Sequence, residues 1–212
     1  MKIVYGTTNR AKLQAMRKAV KPLGLDILGL ADMKCKIPTV QECGNTPLEN
    51  AEIKAKAYYK AFQMPVFSCD SGLYFDELPQ EEQPGIWVRR INGKVLTDDE
   101  MITYYSALAR RYGGKITGRY RNAICFVPDE NHCYASMDES IATEPFILST
   151  VPHPKRVDGF PLDSLSIDVA TGRYYYDLDT KDVSSSVEEG VKIFFQRVLS
   201  KLAKDDFGRE RR

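Results

Sequence analysis

Apolar positions recur along this chain in two periods, one of strands and one of helices, and the points where the period changes mark its elements. Ile3-Val4-Tyr5 is a short apolar run that reads as a strand beginning at Lys2. Leu13, Met16 and Val20 then share one helical face, with Asn9 as a fitting N-cap and Pro22-Leu23-Gly24 as the stop. Asp26 to Leu30 predicts a second strand. Thr46-Pro47-Leu48-Glu49 joins a capping box to a proline at the first helical position, so a helix starts there. It runs to about Phe62, with Leu48, Ala51, Ala55 and Phe62 turned inward.

The second half is richer in strands. Thr97-Asp98-Asp99-Glu100 is another capping box, opening a helix with Met101, Tyr105 and Leu108 at helical spacing and an end near Gly113-Gly114. Lys115 to Val127 and His132 to Leu148 predict two strands, paired as a hairpin across Pro128-Asp129-Glu130-Asn131. Tyr174-Tyr175-Tyr176 predicts a further strand whose aromatics pack. Ser184 to Leu202 predicts an amphipathic helix burying Val187, Val191, Phe194, Val198 and Leu202. Residues 1–204 read as one two-lobed α/β domain and 205–212 as a charged tail.

The stretch around which the rest is organised is Val66-Phe67-Ser68-Cys69-Asp70-Ser71-Gly72-Leu73. An apolar, β-favouring run that stops at Asp-Ser-Gly would set a carboxylate at the edge of a sheet, where α/β proteins commonly do chemistry. Alone, the same triplet reads rather as a chain-reversing turn, and the segments upstream shift the balance. Upstream, the first strand feeds Gly6-Thr7-Thr8-Asn9 at a helix N-terminus. That is an anion site of backbone N–H groups and hydroxyls, with Lys12 in the first turn to add charge. Ordinary capping beside a surface lysine is the competing account.

Composition narrows the chemistry. With 43% of 212 residues hydrophobic, the chain can bury a substantial core. Thirty basic residues against 29 acidic ones leave a formal charge of +1, so neither a nucleic acid polymer nor a membrane surface is an expected partner. The five cysteines are odd in number and lack zinc-site spacing, and no signal-like segment precedes the first strand; reduced thiols in a cytoplasmic protein are the expectation. Only His132 and His153 are present, which leaves acid–base work to carboxylates.

Taken in order, several segments form a recognisable set. They are Thr7-Thr8-Asn9-Arg10-Ala11-Lys12, Glu42, Thr46-Pro47-Leu48-Glu49-Asn50-Ala51, Cys69-Asp70-Ser71-Gly72-Leu73 and Pro84-Gly85-Ile86-Trp87-Val88-Arg89-Arg90-Ile91-Asn92-Gly93. The set resembles the inosine triphosphate pyrophosphatase family, also called dITP/XTP pyrophosphatases. The resemblance implies a long mixed, twisted sheet flanked by helices, two lobes around a central cleft and a homodimer. Trp87 is a candidate interface residue, or equally a core anchor.

The implied reaction is Mg²⁺-dependent hydrolysis of a non-canonical purine nucleoside triphosphate to monophosphate and pyrophosphate. Glu42 and Asp70 would hold the Mg²⁺, which needs few protein carboxylates, and Asp70 would activate the attacking water. Thr7, Thr8, Asn9 and Lys12 would neutralise the phosphates, and Ser71 would donate to a phosphate oxygen. Gly159, Phe160 and Asp163 occupy the place of the family's substrate loop, and Lys181 that of a substrate-contacting lysine.

Three departures stand out. Cys69 replaces an acid of many relatives, which would remove a negative charge beside the metal. Ser185-Ser186-Val187 replaces a base-reading Ser-His-Arg, and Leu162 replaces an aromatic residue. A pyrophosphatase with another base preference, or a catalytically weak nucleotide-binding or sensory protein, are therefore the alternatives.

Overall fold

Local cap chemistry starts the helices where the pattern placed them. The computed structural model describes residues 1–178 and 186–209. Strand β1 (Lys2–Tyr5) leads into helix α1 (Arg10–Val20), whose Lys12 N–H donates to Asn9 Oδ1 at 3.0 Å. A 3-10 turn at Lys21–Leu23 follows, and the chain reverses at Gly24, where φ is +67°. β2 (Asp26–Gly29) ends one residue early because Leu30–Asp32 curls into another 3-10 turn. Helix α2 (Pro47–Phe62) is capped by Thr46, whose Oγ1 accepts from the Glu49 N–H at 3.2 Å. The Glu49 carboxylate does not close the box on Thr46; it accepts from the Asn45 N–H at 2.6 Å.

Beyond α2 come β3 (Val66–Phe75), β4 (Arg90–Ile91) and β5 (Lys94–Val95). Helix α3 (Asp98–Arg111) has the full reciprocal box, Glu100 N–H to Thr97 Oγ1 at 3.3 Å and Thr97 N–H to Glu100 Oε2 at 2.9 Å. β6 (Lys115–Asp129), β7 (His132–Ser136), β8 (Phe146–Ser149), β9 (Ser166–Asp168) and α4 (Ser186–Arg209) complete the order.

Four expectations need correction. β3 does not stop at Asp70-Ser71-Gly72 but continues to Phe75, because Leu73 and Phe75 are buried in alternation and Leu73 exchanges backbone bonds with Gly85 at 2.8 and 2.9 Å. The segment from His132 to Leu148 is two strands. A 3-10 turn at Glu139–Ile141 separates them, with Ile141 buried under Val191 and Gly190 of α4 so close that a Cβ there would overlap the Ser140 carbonyl. Tyr174–Tyr176 is not a strand: Tyr175–Asp177 forms a 3-10 turn, and the Tyr174 hydroxyl donates to the Val151 carbonyl at 2.7 Å. Finally, α4 extends to Arg209, into the expected tail, since no proline or glycine interrupts the chain between Gly190 and Gly208.

Backbone bonding orders seven strands β2-β1-β3-β6-β8-β9, with β7 added to β6. β1 is parallel to both β2 and β3, whereas β6 is antiparallel to β7 and β8, so the sheet is mixed. The chain divides into two compact units: Met1–Ser71, Asn122–Ala142 and Ser185–Arg212 form one, Gly72–Arg121 and Thr143–Ser184 the other. β3 and β6 contribute residues to both.

In the first unit the strands are covered on both faces. Ile3, Tyr5, Phe67, Ile124 and Phe126 pack against Val191, Phe194, Phe195 and Val198 of α4, with Leu13 and Met16 of α1 alongside. Tyr5 stacks on Phe67 at 4.3 Å, and Phe67 meets Phe195 edge-on at 5.3 Å. The alternate positions Val4, Val66, Ala123, Cys125 and Val127 face α2 through Ala51, Ala55 and Tyr58. In the second unit, Met101, Tyr105 and Leu108 of α3 pack with Leu73, Phe75, Ile116, Phe146 and Leu148. No helix among the described residues is long and apolar enough to cross a membrane.

Candidate active site

The site is built where β3 outruns β1. Pairing between them covers Val4 with Val66 and Tyr5 with Phe67, after which the Gly6 N–H makes a last bond to the Phe67 carbonyl at 2.8 Å. Ser68 to Ser71 therefore lie beyond the carboxyl end of β1, beside the turn into α1. Gly6 is required by this close approach: a Cβ there would overlap Ser68 Oγ and come within 2.6 Å of the Tyr58 ring. In the turn, Thr7 Oγ1 accepts from the Asn9 N–H at 3.2 Å and Asn9 caps α1. The Asn9 carbonyl oxygen is thus engaged by the helix. The Thr7 proton, the exposed Thr8 and the unspent first-turn N–H groups are the donors this turn could offer an anion.

Asp70 faces α2. Its Oδ1 is 3.3 Å from Lys54 Nζ, and the same ammonium is 3.4 Å from Glu42 Oε2. The Lys54 side chain is 12% exposed, Asp70 18% and Glu42 42%, so the lysine is the most sheltered of the three. The loop bearing Glu42 is tied to the head of α2 by the buried Asn50, whose Oδ1 accepts from the Gly44 N–H at 2.8 Å. Sequence reasoning missed Lys54. In the primary structure it is one more lysine on a helix that also carries Lys56 and Lys60, both exposed, and only its shelter sets it apart.

Side chains alternate along a strand, and Cys69 and Ser71 accordingly leave β3 on the face opposite Asp70. Together with Tyr5, Lys12, Asn122 and Glu188 they line a cavity of about 150 Å³ within the first unit. Burial pushes the Cys69 thiol up to about 11, outweighing the Tyr5 hydrogen bond and the Lys12 and Lys54 charges that pull it down. It is a protonated, half-buried side chain. An acid at this position would leave the strand on the Lys12 side, opposite Asp70, while staying within electrostatic reach of Lys54 and Asp70. Ser71 Oγ donates to Asn122 Oδ1 at 2.7 Å, and Asn122 Nδ2 donates to the Ile141 carbonyl at 2.6 Å. Donating to a phosphate, as expected of Ser71, would exchange this bond to Asn122 for one to the substrate.

Gly159, Phe160 and Asp163 belong to the second unit. Gly159 has φ +82°, and its N–H donates to Asp98 Oδ2 at 2.8 Å while Arg89 Nη1 holds Oδ1 at 2.7 Å. Burial pushes the Asp163 carboxyl up to about 6. Lys181 and Ser185 lie outside the described residues.

Among the described residues no group of three or more His, Cys, Asp or Glu side chains converges as a metal site. Glu42 and Asp70 nevertheless suit a hard divalent cation. Both already present an oxygen to one ammonium, and a cation that keeps its waters and bridges phosphates needs only one or two carboxylates.

Residues 3–150 match the model of the Ham1 family, a span holding Thr7 through Ser71 but not Gly159, Phe160 or Asp163. A dITP/XTP pyrophosphatase of Thermus thermophilus is 36% identical over 115 residues, 54% of this chain and 53% of that one, so the chain spans about half that relative's length. One from Photobacterium profundum is 30% identical over 151 residues, covering 68% and 74%. A HAM1 protein structure from Coxiella burnetii shares the fold, with a TM-score of 0.72 over 97% of this chain and 99% of that one at 22% identity. A family model spanning most of the chain, carrying the Glu42, Lys54 and Asp70 cluster within its match, establishes that the chain belongs to the Ham1 family.

Proposed function

We propose that this protein hydrolyses nucleoside triphosphates, those with non-canonical purine bases foremost, to the monophosphate and pyrophosphate. The observation that carries the reading is the convergence of Asp70 and Glu42 on Lys54 next to the β1–α1 turn. Two relatives named dITP/XTP pyrophosphatases support the substrate class. A homodimer in the cytoplasm, acting on free nucleotides and not on a nucleic acid polymer, belongs to the same reading.

The chain's own groups divide the work. Lys12, the Thr7 and Thr8 hydroxyls and the α1 N-terminus neutralise and orient the polyphosphate, most effectively as charge redistributes in the transition state. Asp70 takes a proton from the attacking water as its oxygen bonds to phosphorus and the anhydride oxygen departs with pyrophosphate. Lys54 keeps Asp70 aimed and its charge compensated. Mg²⁺ would be held by Glu42 and Asp70, and when bound it supplies Lewis-acid polarisation of the phosphate oxygens.

A different base preference is the second reading, and Val187 favours it: an apolar, half-buried side chain stands in the segment where relatives carry a base-reading arginine. The sensory alternative rests on Cys69 and on the missing Ser-His-Arg; Cys69 lines the Tyr5–Lys12 cavity on the face of β3 opposite Asp70, which weakens the first of these and leaves the second. The test is pyrophosphate release from a panel of nucleoside triphosphates with Mg²⁺ and with EDTA, alongside Asp70→Asn. Metal-dependent turnover lost in the variant supports the proposal; a folded protein that binds a nucleotide without turnover sinks it.

A further inference from the structure

The β6–β7 hairpin brings two thiols together away from the carboxylate site. Cys125 opposes Ala135 in the antiparallel register, and Cys133 lies two residues earlier on β7. Their Sγ atoms are 3.5 Å apart, in van der Waals contact. Cys125 is buried among Ala51, Ala55, Ala123 and Val127, whereas Cys133 is exposed. One sulfur can meet a solute, and the other waits directly behind it.

In a regular antiparallel ladder such diagonal residues have Cα atoms ~7–8 Å apart, beyond the ~4.4–6.8 Å that disulfides span. Here the register shifts between Phe126 and Asp129, next to the pair, and such a bulge tightens the local twist. Closing from contact to a bond of about 2.05 Å then takes side-chain rotation and a small approach of the strands.

The geometry points to an oxidisable dithiol at Cys125 and Cys133, a covalent modification site closed by a low-molecular-weight disulfide such as oxidised glutathione. Cys133 loses its proton, and its thiolate attacks one sulfur of the oxidant; the oxidant's S–S bond breaks and one glutathione leaves. Cys125 then loses its proton and attacks the Cys133 sulfur of the mixed disulfide, releasing the second glutathione. The two cysteines give up two electrons and two protons, and the oxidant becomes two thiols. Burial holds the Cys125 thiol protonated, and the Lys56 ammonium of α2 opposes that by favouring its thiolate. The site owes nothing to the pyrophosphatase reading.

The full chain is incubated with oxidised glutathione, quenched by alkylation, and analysed by intact mass and peptide mapping. The expected product has lost two hydrogens, contains a Cys125–Cys133 cross-linked peptide and returns to two alkylatable thiols with dithiothreitol. Cys133→Ser, at an exposed position, keeps the circular dichroism of the parent and abolishes the cross-link. A persistent glutathione adduct on Cys133 with Cys125 free, a cross-link through Cys35 or Cys43, or no change at either residue overturns the proposal.

Discussion

Cys69 and Asp70 are neighbours in the chain, yet their side chains leave β3 on opposite faces, Cys69 toward Tyr5 and Lys12 and Asp70 toward Lys54. Replacing the thiol should therefore leave the carboxylate pair alone. Cys69→Ala is expected to cost about 1 kcal/mol of stability while the metal concentration that supports half-maximal turnover stays within error of the parent. A metal titration of pyrophosphate release checks this; a weakened metal response would return Cys69 to the carboxylate site.

Lys54 compensates two carboxylates from a sheltered position. Lys54→Met should lower turnover by about 10²–10³-fold, the range seen when a positioned electrostatic group is lost. In urea melts Lys54→Met and Asp70→Asn should be non-additive, with a coupling of about 0.5–3 kcal/mol. Additive losses would show that the 3.3 Å contact contributes nothing in solution.

Asn50 is 2% exposed and spends its carbonyl oxygen on the Gly44 N–H. Asn50→Ala strands a buried donor and should destabilise by about 1–3 kcal/mol. Because it frees the loop that carries Glu42, the variant should also need more metal for half-maximal turnover. A stability loss with an unchanged metal titration would confine Asn50 to a structural role.

Burial raises the Asp163 carboxyl from its ordinary 3.8 to about 6. The folded state then binds this proton more tightly than the unfolded state does. The contribution is fully present below the unfolded value, is lost as pH rises from about 4 through about 6, and is level above. Asp163→Asn removes the ionisation cost and should raise stability at neutral pH by on the order of 3 kcal/mol, with little change at pH 4. Melts at a series of pH values give the answer, and a parent curve flat across this window contradicts it.

The cap chemistry was legible because it is local. Asn9, Thr46 and Thr97 each meet an N–H three residues on, so the start of α1, α2 and α3 could be read without the rest of the molecule. The 3-10 turn at Glu139–Ile141 was not legible, because its cause is the close seat of Gly190 from a distant helix. Lys54 was hidden for the same reason: its partners Glu42 and Asp70 lie outside its helix.

By itself the sequence determined the order of strands and helices from β1 to β3, the starts of α1, α2 and α3, the ordered motif set from Thr7 to Asp70, and the candidate carboxylates Glu42 and Asp70. Each depends on residue type and short-range spacing, which the chain carries openly. Tertiary structure alone decided that β3 runs on past Asp70, which places Cys69 and Asp70 on opposite faces. It also brought Lys54 between two acids and Cys133 against Cys125. These relationships come from burying β3 and β6 between helices, and burial couples residues that the chain keeps far apart.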